Sequence, residues 1–242
     1  MPIQSSCKQP RNEHGGGGTM SLEQVRAAAW ERTVMKYKHI VFDIDGTLTD
    51  TDYAVLTSLK NLLQRRQGKA YALEELYFVK GIPGVAAFAQ LGFEEKDYAQ
   101  IMREWEDGMR ALNDTISIYE GTQEVLEALV REGVGMGIAT SKTRDQYNKD
   151  FCRFEIAKYF DFSITCEETD DPKPGAGPLV AYMKATGAKP EEMLYIGDSV
   201  YDAMCARAAG VDFALAVWGT TDLTIEAKYA PKAPVELLEM IR

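Results

Sequence analysis

HIVFDIDGTLT, residues 39–49, opens with the apolar run Ile40, Val41 and Phe42 and then stops in acids, glycine and hydroxyls. Apolar residues in succession, rather than in alternation, argue for a strand buried on both faces, and the polar tail for a loop leaving its carboxyl end. The same plan recurs at 134–139 ending on Thr140, at 193–196 ending on Gly197 and Asp198, and at 211–217 ending on Trp218 and Gly219. A weaker run, 160–166, leads to Glu167 and Glu168. Helical patterns lie between these runs, as at 122–132 and at 200–209, the latter closed by Gly210. Strands and helices alternating at this spacing predict an α/β fold: a Rossmann-like parallel sheet with helices on both faces and a ligand site along the carboxyl ends of its strands.

Between 52 and 117 the strand pattern disappears, and helical patterns occupy 53–67, 73–79, 85–91 and 96–112. This predicts an inserted all-helical cap over the strand edge, well placed to exclude water. The expected organisation is a disordered Gly-, Gln- and Asn-containing leader over 1–20, an N-terminal helix and the first strand over 21–51, the cap over 52–117, and the rest of the core over 118–242. Ser21 and Gln24 form the capping-box pattern that starts the N-terminal helix.

Composition narrows the function. The chain has 242 residues, 45% hydrophobic and 26% charged, which excludes a fibre or a disulfide mini-protein. Its 27 basic and 37 acidic residues give a net charge of −10, arguing against nucleic acid as a partner. No apolar run approaches the ~18 residues of a membrane span. Cys7, Cys152, Cys166 and Cys205 are widely spread, so inert thiols in a reducing, cytoplasmic setting are expected rather than a disulfide framework. With only His14 and His39 available, histidine base catalysis has almost no candidates, and the chemistry shifts to carboxylates.

Asp43 and Asp45 lie two apart at the end of the first strand, where period two directs both to one side. With Asp198 and Asp202 arriving from another strand end, they suggest a hard-cation site of the Mg2+ type, all oxygen ligands and several waters. Thr140 and Ser141 follow the second strand and offer hydroxyl and N–H donors to an anion at a helix start. Lys173, held between Pro172 and Pro174, adds a cation on a stiffened backbone.

In this order, the four motifs resemble the haloacid dehalogenase superfamily of phosphohydrolases, in the subgroup with a helical, C1-type cap after the first motif, most like the phosphoglycolate phosphatase group. The resemblance covers residues 39–219. It implies Asp43 as nucleophile, Asp45 as general acid and base, Thr140 as phosphate ligand with Ser141 beside it, and Lys173 as the cation on nucleophile and phosphate. It implies Mg2+ on Asp43, Asp198 and the main-chain carbonyl of Asp45, with Asp202 orienting Lys173 or a metal-bound water. Gly46 and Thr47 fit the turn that closes around the phosphate. Asp45 separates the chain from the metal-free dehalogenase branch. A receiver domain also uses Asp, Thr, Lys and Mg2+, but there the acid pair comes first, whereas Asp198 and Asp202 follow Lys173 here.

In the cap, Lys80 lies in Phe78-Val-Lys-Gly-Ile-Pro-Gly84, which resembles the specificity loop of capped relatives, and it is a candidate for a second anionic group on the substrate. Sugar-phosphate mutases carry an arginine shortly after this lysine-glycine, where this chain has Gly84. Tyr77, Phe78, Phe88, Phe93 and Trp105 fit a cap core better than a substrate wall, and Glu167 or Glu168 is a candidate for the metal's surroundings. The expected activity is a Mg2+-dependent phosphatase acting on a small phosphorylated metabolite, as a monomer or homodimer. A pyrophosphatase, a sugar-phosphate phosphatase or mutase, and a non-catalytic phosphate sensor are the alternatives.

Overall fold

The computed structural model describes residues 36–80, 82 and 84–241; the expected leader and N-terminal helix lie outside the described residues. In chain order the elements are β1 (His39–Phe42), β2 (Thr49–Asp50), α1 (Asp52–Gln67), α2 (Gly84–Gln90), α3 (Tyr98–Arg110), β3 (Ser117–Ile118) and α4 (Thr122–Arg131). They continue with β4 (Gly135–Ala139), α5 (Arg144–Gln146), β5 (Phe162–Ile164), α6 (Gly177–Thr186), β6 (Met193–Gly197), α7 (Val200–Ala209), β7 (Asp212–Leu215) and α8 (Leu237–Ile241). Two turns of 3-10 helix, Glu74–Val79, stand where the pattern at 73–79 predicts a helix.

Five strands form one parallel sheet in the order β5-β4-β1-β6-β7. Successive residues of β1 enter different cores, Ile40 and Phe42 on one face and Val41 on the other, which is why the strand reads as an unbroken apolar run. One face is covered by α4 and α8 through Val125, Leu126, Leu129, Leu237 and Ile241. The other is covered by α6 and α7 through Leu179, Tyr182, Ala203, Cys205 and Ala206. Gly137 of β4 is required for the second: a Cβ there would lie 2.2 Å from the Tyr182 ring. Because the chain passes from β1 to β4 on one side and β6 on the other, the carboxyl end of β1 is the topological switch point, where open α/β sheets bind ligands.

Between β2 and β3 the elements formed by the described residues are all helical, with their own apolar cluster of Leu56, Leu59, Leu62, Phe88, Ile101 and Trp105 among others. Its two long helices cross closely: Trp105 Nε1 donates to the Val55 carbonyl at 3.1 Å, and a Cβ on Gly108 of α3 would sit 3.0 Å from that of Ser58 on α1. The β2–β3 antiparallel ladder, pairing Thr49 with Ile118 and Asp50 with Ser117, joins the two chain crossings at the base of these helices. Cys166 and Cys205 are free, but Cys152 is disulfide-bonded, so the expectation of unpaired thiols fails there and the cysteine argument for a reducing compartment lapses. Among the described residues no helix is long and apolar enough to cross a membrane.

Candidate active site

Asp43 directly follows β1, and its N–H donates to the Ile196 carbonyl at 2.8 Å, so the sheet's own hydrogen bonding fixes it at the switch point. Gly46 then turns the chain with φ +75°, its N–H reaching the Thr49 carbonyl at 2.9 Å. A Cβ at Gly46 would lie 2.3 Å from Asp198 Oδ2, and one at Gly219 would lie 1.6 Å from the Gly46 carbonyl oxygen. Two glycines therefore let three loops converge. Asp198 leaves the end of β6, and Asp202 lies in the first turn of α7, where Ser199 is the N-cap and forms a reciprocal capping box with Asp202.

Lys173 arrives from the loop between β5 and α6. Its Nζ is 2.7 Å from Asp43 Oδ1 and 2.7 Å from Asp202 Oδ1, with only 4% of the side chain exposed. Asp202 is further held by Ser199, whose Oγ donates to Oδ2 at 2.5 Å, and by the buried Tyr195 hydroxyl at 2.7 Å. That hydroxyl also lies 3.0 Å from the Ala139 carbonyl, so its single proton is shared between two acceptors.

Asp43, Asp198 and Asp202 bring carboxylate oxygens within 4.8 Å of one another, all buried. Burial, reinforced by Asp202 and Asp45 and opposed by Lys173, pushes Asp43 up to about 7. Burial and the neighbouring Asp202 and Asp43 push Asp198 well above its ordinary value. For Asp202 burial acts in the same direction, but the Lys173 charge and the bonds from Lys173, Ser199 and Tyr195 outweigh it and hold the carboxyl below its ordinary value. Burial opposes the Lys173 charge, but Asp202 and Asp43 more than offset it and keep the ammonium protonated. Three carboxylates thus share one ammonium. This shortage of positive charge, the all-oxygen donors and the space left by Gly46 beside Asp198 fit a small hard dication such as Mg2+.

A stability test follows. Carboxylates whose folded pKa is raised cost nothing below their unfolded value near 3.9 and destabilise the metal-free protein as pH rises through the folded value, for Asp43 about 7. Since a cation binds their ionised form, 10 mM Mg2+ is expected to raise the melting temperature several degrees more at pH 8 than at pH 5. Equal shifts at the two pH values, followed by scanning fluorimetry, would contradict the carboxylate site.

The remaining expected residues distribute unevenly. Asp45 does not join the acid cluster with its side chain; its Oδ2 lies 3.0 Å from Lys142 Nζ, which also approaches Asp150 at 3.8 Å. Thr140 and Ser141 line a compartment with Asp43, Lys80, Lys173 and Asp198, as does Gly46. They are not at a helix start, however: α5 begins three residues later with Thr143 as its N-cap, and Thr140 Oγ1 instead accepts from the Lys142 N–H at 3.2 Å. Thr47 is buried away from this compartment, and its carbonyl takes the Trp218 indole N–H at 3.0 Å. Lys80 crosses from the helical insert to the core, donating to Asp52 Oδ2 at 2.5 Å and to the Gly219 carbonyl at 2.9 Å. Glu167 and Glu168 stay away from the acid cluster, because Arg144 takes both: its N–H reaches Glu167 Oε2 at 2.9 Å, and its guanidinium reaches Glu168 Oε2 at 2.6 Å. Tyr77 and Phe78 are partly exposed and Phe88 is buried in the cap cluster; Trp105 is buried and also faces the compartment.

Lys142, Tyr195 and Ser199 were not legible as site residues. Tyr195 reads as one more apolar strand residue, and only its strand position, three before Asp198, could have suggested that it faces the site. Lys142 has a signal in its place directly after Thr140-Ser141, whereas its partner Asp45 is distant in sequence.

A buried carboxylate–lysine cluster thus lies at the switch point of a parallel α/β sheet, beneath a helical insert, where enzymes of this architecture place their reacting groups. The chain belongs to the haloacid dehalogenase-like hydrolase family, whose model matches residues 40–216. It is 29% identical over 215 residues, 86% of this chain and 96% of the other, to the "putative pyrophosphatase PpaX" of Caldanaerobacter subterraneus subsp. tengcongensis. To the pyrophosphatase PpaX of Bacillus velezensis it is 28% identical over 202 residues, 81% of this chain and 91% of the other. Among solved structures, it is similar to the "putative phosphoglycolate phosphatase" of Lactobacillus plantarum at a TM-score of 0.79 and 30% identity, covering 85% of this chain and all of that one.

Proposed function

We propose that this chain is a Mg2+-dependent phosphatase that hydrolyses a small phosphomonoester by phosphoryl transfer to Asp43. The observation that carries the reading is Lys173 bridging Asp43 and Asp202 at 2.7 Å each inside a buried cluster with Asp198. A carboxylate brought to about 3.5 Å from a phosphate oxygen meets roughly 5 kcal/mol of repulsion per charge pair at an effective dielectric near 20, enough to slow attack about a thousandfold. Lys173, fixed by Asp202, offsets part of it. Mg2+, held by Asp43, Asp198 and the main-chain carbonyl of Asp45, would supply the rest by neutralising the phosphoryl oxygens.

Asp43 attacks phosphorus, an Asp43–O–P bond forms, and the P–O bond to the leaving alcohol breaks as Asp45 gives that oxygen its proton. Asp45 then takes a proton from water, which attacks phosphorus and returns Asp43 as carboxylate with release of inorganic phosphate. The separation of the Asp45 side chain from the acid cluster, and its place on the wall of the Asp43 compartment, suit this second, proton-handling role. Thr140 and Ser141 would bind the phosphoryl oxygens. Residues 52–117 would act as the cap that excludes water, with Lys80 joining it to the Gly219 loop.

Hydrolysis of inorganic pyrophosphate is the second reading, favoured by the names of the two relatives and by the position of Lys80 in the Asp43 compartment. It requires Lys80 to exchange Asp52 for the second phosphate. Phosphate release from phosphoglycolate, pyrophosphate and sugar phosphates, with Mg2+ and with EDTA, tests and separates these readings; no metal-dependent release from any of them would overturn both. Asp45→Asn is expected to lower turnover by about a hundredfold or more and to accumulate acid-stable or hydroxylamine-sensitive phosphoprotein, because the second displacement lacks its base. Wild-type turnover without accumulation would remove Asp45 from the reaction.

A further inference from the structure

Two compartments meet at Asp45, Ser141 and Lys173. The one that holds Asp43 and Asp198 is the smaller and the more polar of the two, about 170 Å3. The other, about 440 Å3, runs from there between the helical insert and the core, walled by Val55, Ile82, Met102, Trp105, Met109 and Phe154. Its volume falls within the range of roughly 300–1,000 Å3 typical of sites for drug-sized ligands, which are mostly apolar with a few polar groups.

The charged groups that border the larger compartment are already paired. Lys142 lies between Asp45 at 3.0 Å and Asp150 at 3.8 Å. Arg110 is 3.6 Å from Glu106 and 2.7 Å from Asp107, and Glu106 also accepts from Gln146 Nε2 at 2.7 Å. Lys173 is occupied by Asp43 and Asp202. A second phosphate or a carboxylate placed there would lose its hydration among mostly apolar walls and would have to displace two carboxylates, Glu106 and Asp107 from Arg110 or Asp45 and Asp150 from Lys142, a costly exchange in an apolar setting. Phosphoglycolate and pyrophosphate, whose non-transferred ends are small and anionic, match the polar compartment beside Lys80 and leave the larger one unused.

We infer that the leaving alcohol of the substrate is uncharged with a bulky apolar body, seated in the 440 Å3 compartment between the helical insert and the core while its phosphate reaches Asp43. The inference rests on the phosphomonoester reading and names its substrate class. Trp105 and Met109 border both compartments and stand where the ester oxygen passes from one to the other, so an alcohol is measured by the apolar wall as its phosphate is placed.

The test uses the full chain with Mg2+ and a series of alkyl phosphates of similar leaving-group acidity: ethyl, hexyl and 2-phenylethyl phosphate, with phosphoglycolate and pyrophosphate alongside. Burial of the added carbons is expected to raise kcat/KM about thirtyfold or more from ethyl to 2-phenylethyl phosphate. Val85→Trp and, as an independent variant, Ile116→Trp narrow the larger compartment from opposite chain segments and are each expected to lower the 2-phenylethyl to ethyl ratio about tenfold. A flat series, a higher kcat/KM for phosphoglycolate than for 2-phenylethyl phosphate, or an unchanged ratio in both folded variants would overturn the inference while leaving the phosphomonoester reading intact; a higher kcat/KM for pyrophosphate would overturn both in favour of the second reading. Release from none of the esters would overturn the phosphatase reading itself, and this inference with it.

Discussion

Asp43→Asn is expected to reduce phosphate release by about ten-thousandfold or more, because the amide has no anionic oxygen with which to open the phosphate ester. The substitution preserves volume at a buried position beside β1, so the sheet has no packing reason to rearrange. It also removes one of the three clustered carboxylates, and one of the two that Lys173 contacts. The metal-free variant is therefore expected to melt at or above the wild-type temperature at pH 8, while its response to Mg2+ falls. Inactivity with unchanged or higher stability separates loss of the nucleophile from loss of the fold. Wild-type turnover, measured with the acid-quenched protein assayed for bound phosphate, would assign the nucleophile elsewhere.

The sheet could be read from sequence because each of its five strands is an apolar run that ends in glycine, acid or hydroxyl, a pattern produced by burial on both faces followed by exit at the functional edge. Helix α6 was missed for a related reason: Gly177 and Pro178 open it, and its apolar residues Leu179, Val180, Ala181 and Met183 give no polar face to mark a helical period. The β2–β3 ladder has two residues per strand, too few for any alternation to register. At the site, the order of Asp43, Lys173, Asp198 and Asp202 pointed to a family, and the chain belongs to it. The partners of the charges were less legible. Glu168 follows a strand toward the functional edge as Asp198 does, yet Arg144, packed over the Tyr147 ring, captures it. Asp45 is two residues from Asp43, yet the turn at Gly46 sends its carboxylate toward Lys142. Sequence spacing sets which residues reach the edge; the opposing loops decide which charges meet.

Lys173→Met tests that last step with the greatest expected effect on stability. Methionine keeps the length of the apolar stem, which is buried, but removes the ammonium between Asp43 and Asp202. Breaking a buried ion pair from one side costs about 3–5 kcal/mol, since the remaining charges stay desolvated without a partner. The cost is expected to depend on pH. In the wild type Asp202 is held below its ordinary pKa, so its contribution is present above the unfolded value near 3.9 and is lost as pH falls through the lower folded value. Without Lys173 burial acts on Asp202 unopposed by that charge, its pKa rises, and its contribution reverses: the variant loses stability as pH rises above about 4. The deficit relative to wild type, read from urea denaturation in EDTA, is therefore expected to be largest near pH 8 and to shrink toward pH 4, where Asp202, Asp43 and Asp198 can take up protons. Phosphate release is expected to fall about a thousandfold, because repulsion between Asp43 and the incoming phosphate is no longer offset. A stability deficit that is the same at pH 5 and pH 8 would mean that Lys173 acts through packing of its stem, and the charge-sharing account of the site would fail.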